Sequence, residues 1–287
     1  MPLMIEGGRI PNLWAGRQRV TWVSGNDNAG EESIRIALIN NMPDPALEDT
    51  EIQFCELLDA AAGGIPVRLK LYSLPGIPRS TRGQERLRSF YHDLADLLSG
   101  PVDAVIMTGT EPHHADLREE PYWRALAGVL DWAERNTIST ILSCLAAHAG
   151  VLYSDGIARH ALGDKRFGVF ECKKTHDHAL TVGAGDPMRF PHSRWNEVRE
   201  ADLILCGYAI LTESAQAGVD LFAKRQGESL FVYLQGHPEY GARTLLKEYR
   251  RDVRRFLNHE RETYPSMPEG YFDADAAKLL ADFRENA

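Results

Sequence analysis

Short apolar runs alternate with amphipathic stretches through the first half of the chain, and this alternation restricts the fold more than any other feature. Residues 34–39, 67–71, 102–107 and 138–142 read as buried strands. Asn40-Asn-Met-Pro-Asp-Pro45 breaks the first run, and a helix follows through Ile52, Phe54, Leu57 and Leu58. Leu87, Phe90, Tyr91, Leu94 and Leu98 recur on one face, which predicts a second helix over residues 85–98. A third is predicted over residues 122–134. Strands that alternate with helices need crossover connections, so the fold class is α/β: a parallel-sheet core flanked by helices.

After residue 155 the rhythm changes. Residues 167–170, 179–182, 201–211 and 221–223 read as shorter, antiparallel strands. Residues 229–234 return to a buried run that stops at Gln235-Gly-His-Pro. A strongly charged helix is expected over residues 241–258 and a C-terminal one over 273–283. The boundaries that follow are 1–32 as an N-terminal extension, 33–260 as the α/β domain, and 261–287 as a C-terminal helical segment.

Composition narrows the class. The chain has 287 residues, enough for one large core, and its net charge of -9 disfavours broad nucleic-acid binding. No run of about 18 apolar residues exists, so no membrane span is expected. Residues 1–19 hold Arg9, Arg17 and Arg19 but no apolar leader core, so no secretory signal is expected either. Four cysteines without a C-x-x-C pair fit reduced thiols in a cytoplasmic protein. Neither phosphate-loop nor dinucleotide glycine patterns occur, so no such cofactor is implied.

Cys144 is the first candidate for chemistry. It follows the run 138–142 and precedes Leu145-Ala-Ala-His-Ala149, which can start a helix. A residue at that turn sits at the carboxyl edge of a parallel sheet, where such folds bind ligands. Free N–H groups at a helix start favour a thiolate and a developing oxyanion, with the Leu145 N–H as donor. His237 and Glu239 follow the run 229–234 in a loop bent by Pro238. An imidazole there can take the thiol proton, and the carboxylate can fix its tautomer. Taken singly, a buried structural cysteine and a surface turn are the better readings of these pieces. Together they suggest a Cys-His-Glu triad.

His113 and His114 follow Thr108-Gly-Thr-Glu-Pro112 in a loop at the same sheet edge, to line a pocket or to be solvated. His176 and His178 have the spacing of a metal pair but lack a third ligand, so no metal is expected. His148 is expected to pack. Arg194 and Arg251 are candidate clamps for a carboxylate or phosphate, against the alternative of a solvated helix face.

These pieces, with others, resemble one family in order and spacing from about residue 34 to 255. They are Asn40-Asn-Met-Pro43, Thr50-Glu51, Phe90-Tyr91, Thr108-Gly109, Tyr122-Trp123, Ser143-Cys144, Gly168-Val-Phe-Glu171, His178-Ala-Leu180, Pro191-His-Ser-Arg194, Gly236-His-Pro-Glu-Tyr240 and Arg251-Asp252. The chain resembles the homoserine O-succinyltransferase/O-acetyltransferase family of methionine biosynthesis. That family has a class I glutamine amidotransferase-like, flavodoxin-like fold. The resemblance implies ping-pong acyl transfer through a Cys144 thioester, with acetyl-CoA or succinyl-CoA as co-substrate and no permanently bound cofactor. His237, oriented by Glu239, would deprotonate the acceptor hydroxyl. Arg251 would bind the amino acid's carboxylate, and Leu145 with the Thr108-Gly-Thr110 turn would form the oxyanion hole. A supporting role for Arg194 and a homodimer are implied by the same likeness.

Three departures from the family pattern bear on substrate. The lysine usually found soon after Met-Pro is replaced by Asp44, Pro45 and Ala46. His113 stands at the acyl-selecting position, where Gly goes with succinyl and Glu with acetyl donors. Thr-Gly-Thr-Glu-Pro replaces Thr-Gly-Ala-Pro. The acceptor is therefore L-homoserine or L-serine, which differ by one methylene. Crowding by His113 favours the acetyl group, whereas a cationic His113 would attract a succinyl carboxylate. The runner-up is a glutamine amidotransferase or γ-glutamyl hydrolase, disfavoured because Leu142 and Ala146 replace the glycines that flank its nucleophile. A binding protein with a dead site is the third reading.

Overall fold

The computed structural model describes residues 3–6, 20–23 and 33–285. In chain order the elements are β1 (Leu3–Glu6), β2 (Val20–Val23), β3 (Ile34–Ile39), α1 (Asp44–Ala61), β4 (Val67–Tyr72), α2 (Thr81–Phe90), α3 (Leu94–Ser99) and β5 (Ala104–Met107). Next come α4 (Trp123–Asn136), β6 (Ser139–Ser143), α5 (Leu145–Asp155), β7 (His160–Lys174), β8 (Met188–Glu197) and α6 (Glu200–Leu205). The remainder are β9 (Ala209–Ile210), β10 (Thr212–Ser214), β11 (Gly218–Val219), β12 (Leu221–Gln226), β13 (Ser229–Leu234), α7 (Thr244–Leu257) and α8 (Ala274–Glu285). The chain divides into two compact units: Met1–Ile157 with Ala223–Leu234, and Ala158–Phe222 with Gln235–Ala287.

The first unit is the expected parallel sheet. Its strands run in the order β2-β1-β4-β3-β5-β6-β13-β12, and every pairing from β2 through β13 in that series is parallel. Leu3, Ile5, Leu38, Leu69, Leu71 and Ile106 join Phe54 and Cys55 of α1 in one apolar cluster. Burial of such side chains contributes about 1.5–3 kcal/mol each. The stretch read as an extension is thus partly sheet: Leu3 and Ile5 are buried, and β1 pairs with β4.

The single helix expected over 85–98 is two. Its apolar spacing continues across the break, but the His92 N–H donates to the Leu71 carbonyl at 2.8 Å and holds the chain extended. The Asp93 side chain then accepts from Ala95 N–H and caps α3.

The second unit holds an antiparallel sheet in the order β11-β10-β7-β8. Phe167 of β7 packs with Leu245 and Tyr249 of α7, and Tyr264, Phe272 and Leu280 lie against them. Two strand expectations fail here. Residues 179–182 form turns, because the His178 carbonyl and ring nitrogen collect the Thr181 and Leu180 N–H groups. Residues 201–211 contain α6, favoured by Glu200 and Asp202 in its first turn, and only then the short β9. β8 was missed because Pro191, His192 and Arg194 do not read as strand formers.

Candidate active site

In the first unit the carboxyl ends of β3, β5 and β6 come together. Cys144 stands between β6 and α5 with φ 54° and ψ -118°, left-handed backbone in a residue that carries a Cβ. Such a conformation costs about 1–3 kcal/mol and persists only where surroundings impose it. The Cys144 N–H donates to the Leu234 carbonyl at 2.8 Å, one step beyond the β6–β13 ladder. Its own carbonyl accepts from Ala147 and His148 N–H as α5 begins. The thiol is half-buried, unlike the fully buried Cys55 and Cys172, and carries no disulfide.

Leu145 opens α5, so its N–H has no partner one turn back in the helix. Gly109 lies directly against it. A Cβ on Gly109 would fall 2.8 Å from the Leu145 nitrogen and 2.8 Å from the Leu145 Cβ. Asn41 pins this turn: its N–H donates to Thr108 Oγ1 (2.8 Å), and its Nδ2 donates to the Thr108 carbonyl (3.2 Å). Thr110, the next residue, is half-buried, and His113 is exposed. The buried Glu120 carboxylate fixes the following loop by accepting the His113 and His114 N–H groups at 2.6 and 2.7 Å.

Pieces of the quoted motifs far apart in sequence meet here. Asn40 Nδ2 donates to the Tyr91 hydroxyl (3.1 Å), which donates to Glu51 Oε1 (2.8 Å). Arg86 Nε donates to the same oxygen at 2.9 Å. Asp44, where the resemblance leads to the expectation of a lysine, is committed locally. Its carboxylate accepts from Ser80 N–H (2.7 Å), Ser80 Oγ–H (2.5 Å) and Arg79 (3.2 Å). Burial pushes against the charge there, but these donors hold the carboxyl below its usual range.

In the second unit, His237 and Glu239 are both buried, with Nδ1 and Oε1 2.9 Å apart. A carboxylate only accepts, so Nδ1 carries the hydrogen and Nε2 keeps the lone pair that a general base needs. The loop is held from beneath. The His237 N–H donates to the Pro191 carbonyl (2.9 Å), and the Gly236 N–H donates to Asp220 Oδ1 (2.8 Å). A Cβ at Gly236 would sit 2.7 Å from the Pro191 oxygen, so only glycine fits.

Asp220 faces His192 at 3.3 Å, both fully enclosed. Arg194 Nε–H donates to His192 Nδ1 (3.2 Å), which leaves the His192 proton on Nε2, toward Asp220. Burial, aided by Arg194, holds the His192 imidazole well below its ordinary pKa. Burial also raises the Asp220 carboxyl to about 6, against the opposing Gly236 N–H, Arg194 and His237. Arg194, a candidate substrate clamp, is enclosed, and its remaining nitrogens donate to the carbonyls of Asn196 and Ala217.

The His237 ring stacks on Tyr240 at 4.1 Å, and the Tyr240 hydroxyl donates to Glu248 Oε1 at 2.6 Å. Glu248 also accepts from Ser193 (2.6 Å) and Lys165 (3.3 Å). Burial disfavours its charge, yet Lys165, Ser193 and Tyr240 keep the carboxyl below its usual range. Arg251, one turn on, is half-exposed, with Nε donating to Asp252 Oδ1 at 2.9 Å. Tyr240 closes the Gly236-His-Pro-Glu-Tyr240 segment and Glu248 sits within the charged stretch 241–258, where neither carries a sequence signal of its own. Asp220 offered no signal beyond preceding an apolar run.

A family profile described as homoserine O-succinyltransferase matches residues 17–286. A homoserine O-succinyltransferase of Rhodopseudomonas palustris is 48% identical over 264 residues, covering 92% of this chain and 79% of that one. One of Methylobacter tundripaludum is 36% identical over 289 residues, covering 99% and 81%. Among solved structures, the glutaminase domain of Trypanosoma brucei CTPS with bound acivicin aligns with TM-score 0.50 at 12% identity, covering 83% of this chain and 98% of that chain. That likeness concerns the fold alone.

Proposed function

Because this chain belongs to the homoserine O-succinyltransferase family, a family of acyltransferases, we propose that it moves a succinyl group from succinyl-CoA to the hydroxyl of L-homoserine through a thioester on Cys144. The observation that carries the reading is a strand register. Leu234 of β13 lies opposite Ser143 of β6 in a parallel pair. Cys144 follows one residue after Ser143, and His237 three residues after Leu234. Three residues of chain span at most about 11 Å, so thiol and imidazole are tethered to neighbouring strand ends at one sheet edge.

In the first half-reaction His237 Nε2 takes the Cys144 proton, and the thiolate attacks the carbonyl carbon of succinyl-CoA. The oxyanion is met by the N–H groups of Leu145 and Thr110. Collapse expels CoA sulfur, which receives the proton back from His237. In the second, His237 Nε2 takes the homoserine hydroxyl proton, the oxygen attacks the Cys144 thioester, and the thiolate leaves. Glu239 stabilises imidazolium in both. Arg251 binds the acceptor carboxylate, and Arg194 acts at one remove, by holding His192 under the loop.

The relatives' names favour succinyl over the acetyl group that crowding at His113 suggested, and a protonated His113 would attract the succinyl carboxylate. Intact-protein mass spectrometry after exposure to succinyl-CoA or acetyl-CoA tests the donor. A chase with L-homoserine or L-serine tests the acceptor. A succinyl adduct that only L-homoserine removes is expected; an unmodified Cys144 after both donors sinks the reading. Ammonia release from glutamine would instead favour an amidotransferase.

A further inference from the structure

On α7, Lys247, Arg250, Arg251, Arg254 and Arg255 line a surface cavity of about 360 Å³ together with Asn258 and Glu260. Their spacing puts them on one face of the helix, opposite the buried Leu245, Tyr249 and Asp252. Like charges four residues apart repel, and Arg250 with Arg254 and Arg251 with Arg255 are such pairs. A helix macrodipole welcomes cations only in its last turn, which accounts for Arg254 and Arg255 but not for Lys247, Arg250 and Arg251. Arg251 has Asp252 at 2.9 Å and Glu248 at 4.0 Å. Arg250, Arg254 and Arg255 have no carboxylate within 4.0 Å among the described residues. A chain of net charge -9 thus concentrates unneutralised positive charge on one helix face.

The same helix reaches the proposed base. Glu248 receives the Tyr240 hydroxyl, and Tyr240 stacks on His237. At 1.5 Å per residue, Arg254 and Arg255 lie about 10 Å farther along the axis than Glu248, within reach of a pantetheine arm. We propose that Arg250, Arg254 and Arg255 in this cavity bind the phosphates of the acyl donor's nucleotide, the pyrophosphate and 3′-phosphate of CoA, while Arg251 at its edge serves the acceptor carboxylate. Arginine suits the task, because its planar fork meets phosphate oxygens in pairs. The inference rests on the acyl-CoA reading above.

Steady-state kinetics on Arg250→Gln and on the double variant Arg254→Gln/Arg255→Gln test it. Each lost arginine should raise KM for succinyl-CoA about ten-fold, the worth of one charge-assisted hydrogen bond. KM for L-homoserine, kcat, and acylation by a nucleotide-free succinyl thioester of N-acetylcysteamine should stay as they were. An unchanged KM for succinyl-CoA, or an equal loss with the nucleotide-free thioester, overturns the proposal. Calorimetry decides independently of turnover. CoA should bind the unsubstituted protein more tightly than dephospho-CoA does, and the double variant should lose that preference. Equal affinities in the unsubstituted protein overturn the cavity assignment alone, whereas absence of any acyl adduct overturns the acyltransfer reading.

Discussion

At Cys144 the proposed nucleophile is carried by a backbone with positive φ, which resists a side chain. Cys144→Ala keeps the left-handed strain and should abolish acylation, read as loss of the mass adduct. Cys144→Gly relieves the strain. It should be more stable than the alanine variant by about 1 kcal/mol in urea denaturation, while equally inactive. Gly109 makes the complementary case. Gly109→Ala would thrust a methyl group against the Leu145 N–H, and kcat should fall about 10²-fold, as when an oxyanion donor is lost. Glu239→Gln keeps the shape beside His237 but not the charge proposed to stabilise imidazolium. A kcat loss of about 10²–10⁴-fold is expected, with KM little moved.

Elements are joined at the sheet edge by polar side chains as well as by apolar packing. Tyr91 lies between α2 and α3 and links Asn40, after β3, to Glu51 of α1. Tyr91→Phe leaves both partners short of a bond and should cost about 1–3 kcal/mol in chemical denaturation. The Gly236–Tyr240 loop depends likewise on Asp220. Asp220→Asn can still accept the Gly236 N–H and should retain most of kcat. Asp220→Ala cannot, and should lose it. Equal activity in the two variants would show that Asp220 does not hold the loop.

Across the whole molecule the carboxyls of Asp44, Glu248 and Asp220 pull stability in opposite directions with pH. Asp44 and Glu248 are held below their unfolded values, so their contributions are present above pH about 4.5 and are lost as pH falls. Asp220, at about 6 when folded and 3.8 as its ordinary value, has the reverse sign. The folded state favours its protonated form, and that contribution is complete below pH about 4 and lost as pH rises through 6. Urea titrations at pH 4 and 7 should therefore show Asp220→Asn gaining on the unsubstituted protein, by up to about 3 kcal/mol. A constant gap between the two pH values would contradict the raised Asp220 carboxyl.

The parallel core and the turn at Cys144 were legible in the sequence, because burial on both faces writes continuous apolar runs and a helix start follows directly. His237 and Glu239 were legible as a pair because two residues on one bent loop share a partner locally, and their 2.9 Å contact needs no distant element. Tertiary structure alone decided what lies beneath them. The Asp220–His192–Arg194 cluster joins β8 to the start of β12, and no local periodicity marks a buried charge whose partners come from other strands. It also split the helix at His92, where a hydrogen bond to Leu71 outweighed helical spacing, and recruited Leu3–Glu6 into the sheet. Local patterns reveal which face a segment buries; which segment it is buried against depends on contacts that the chain makes only when folded.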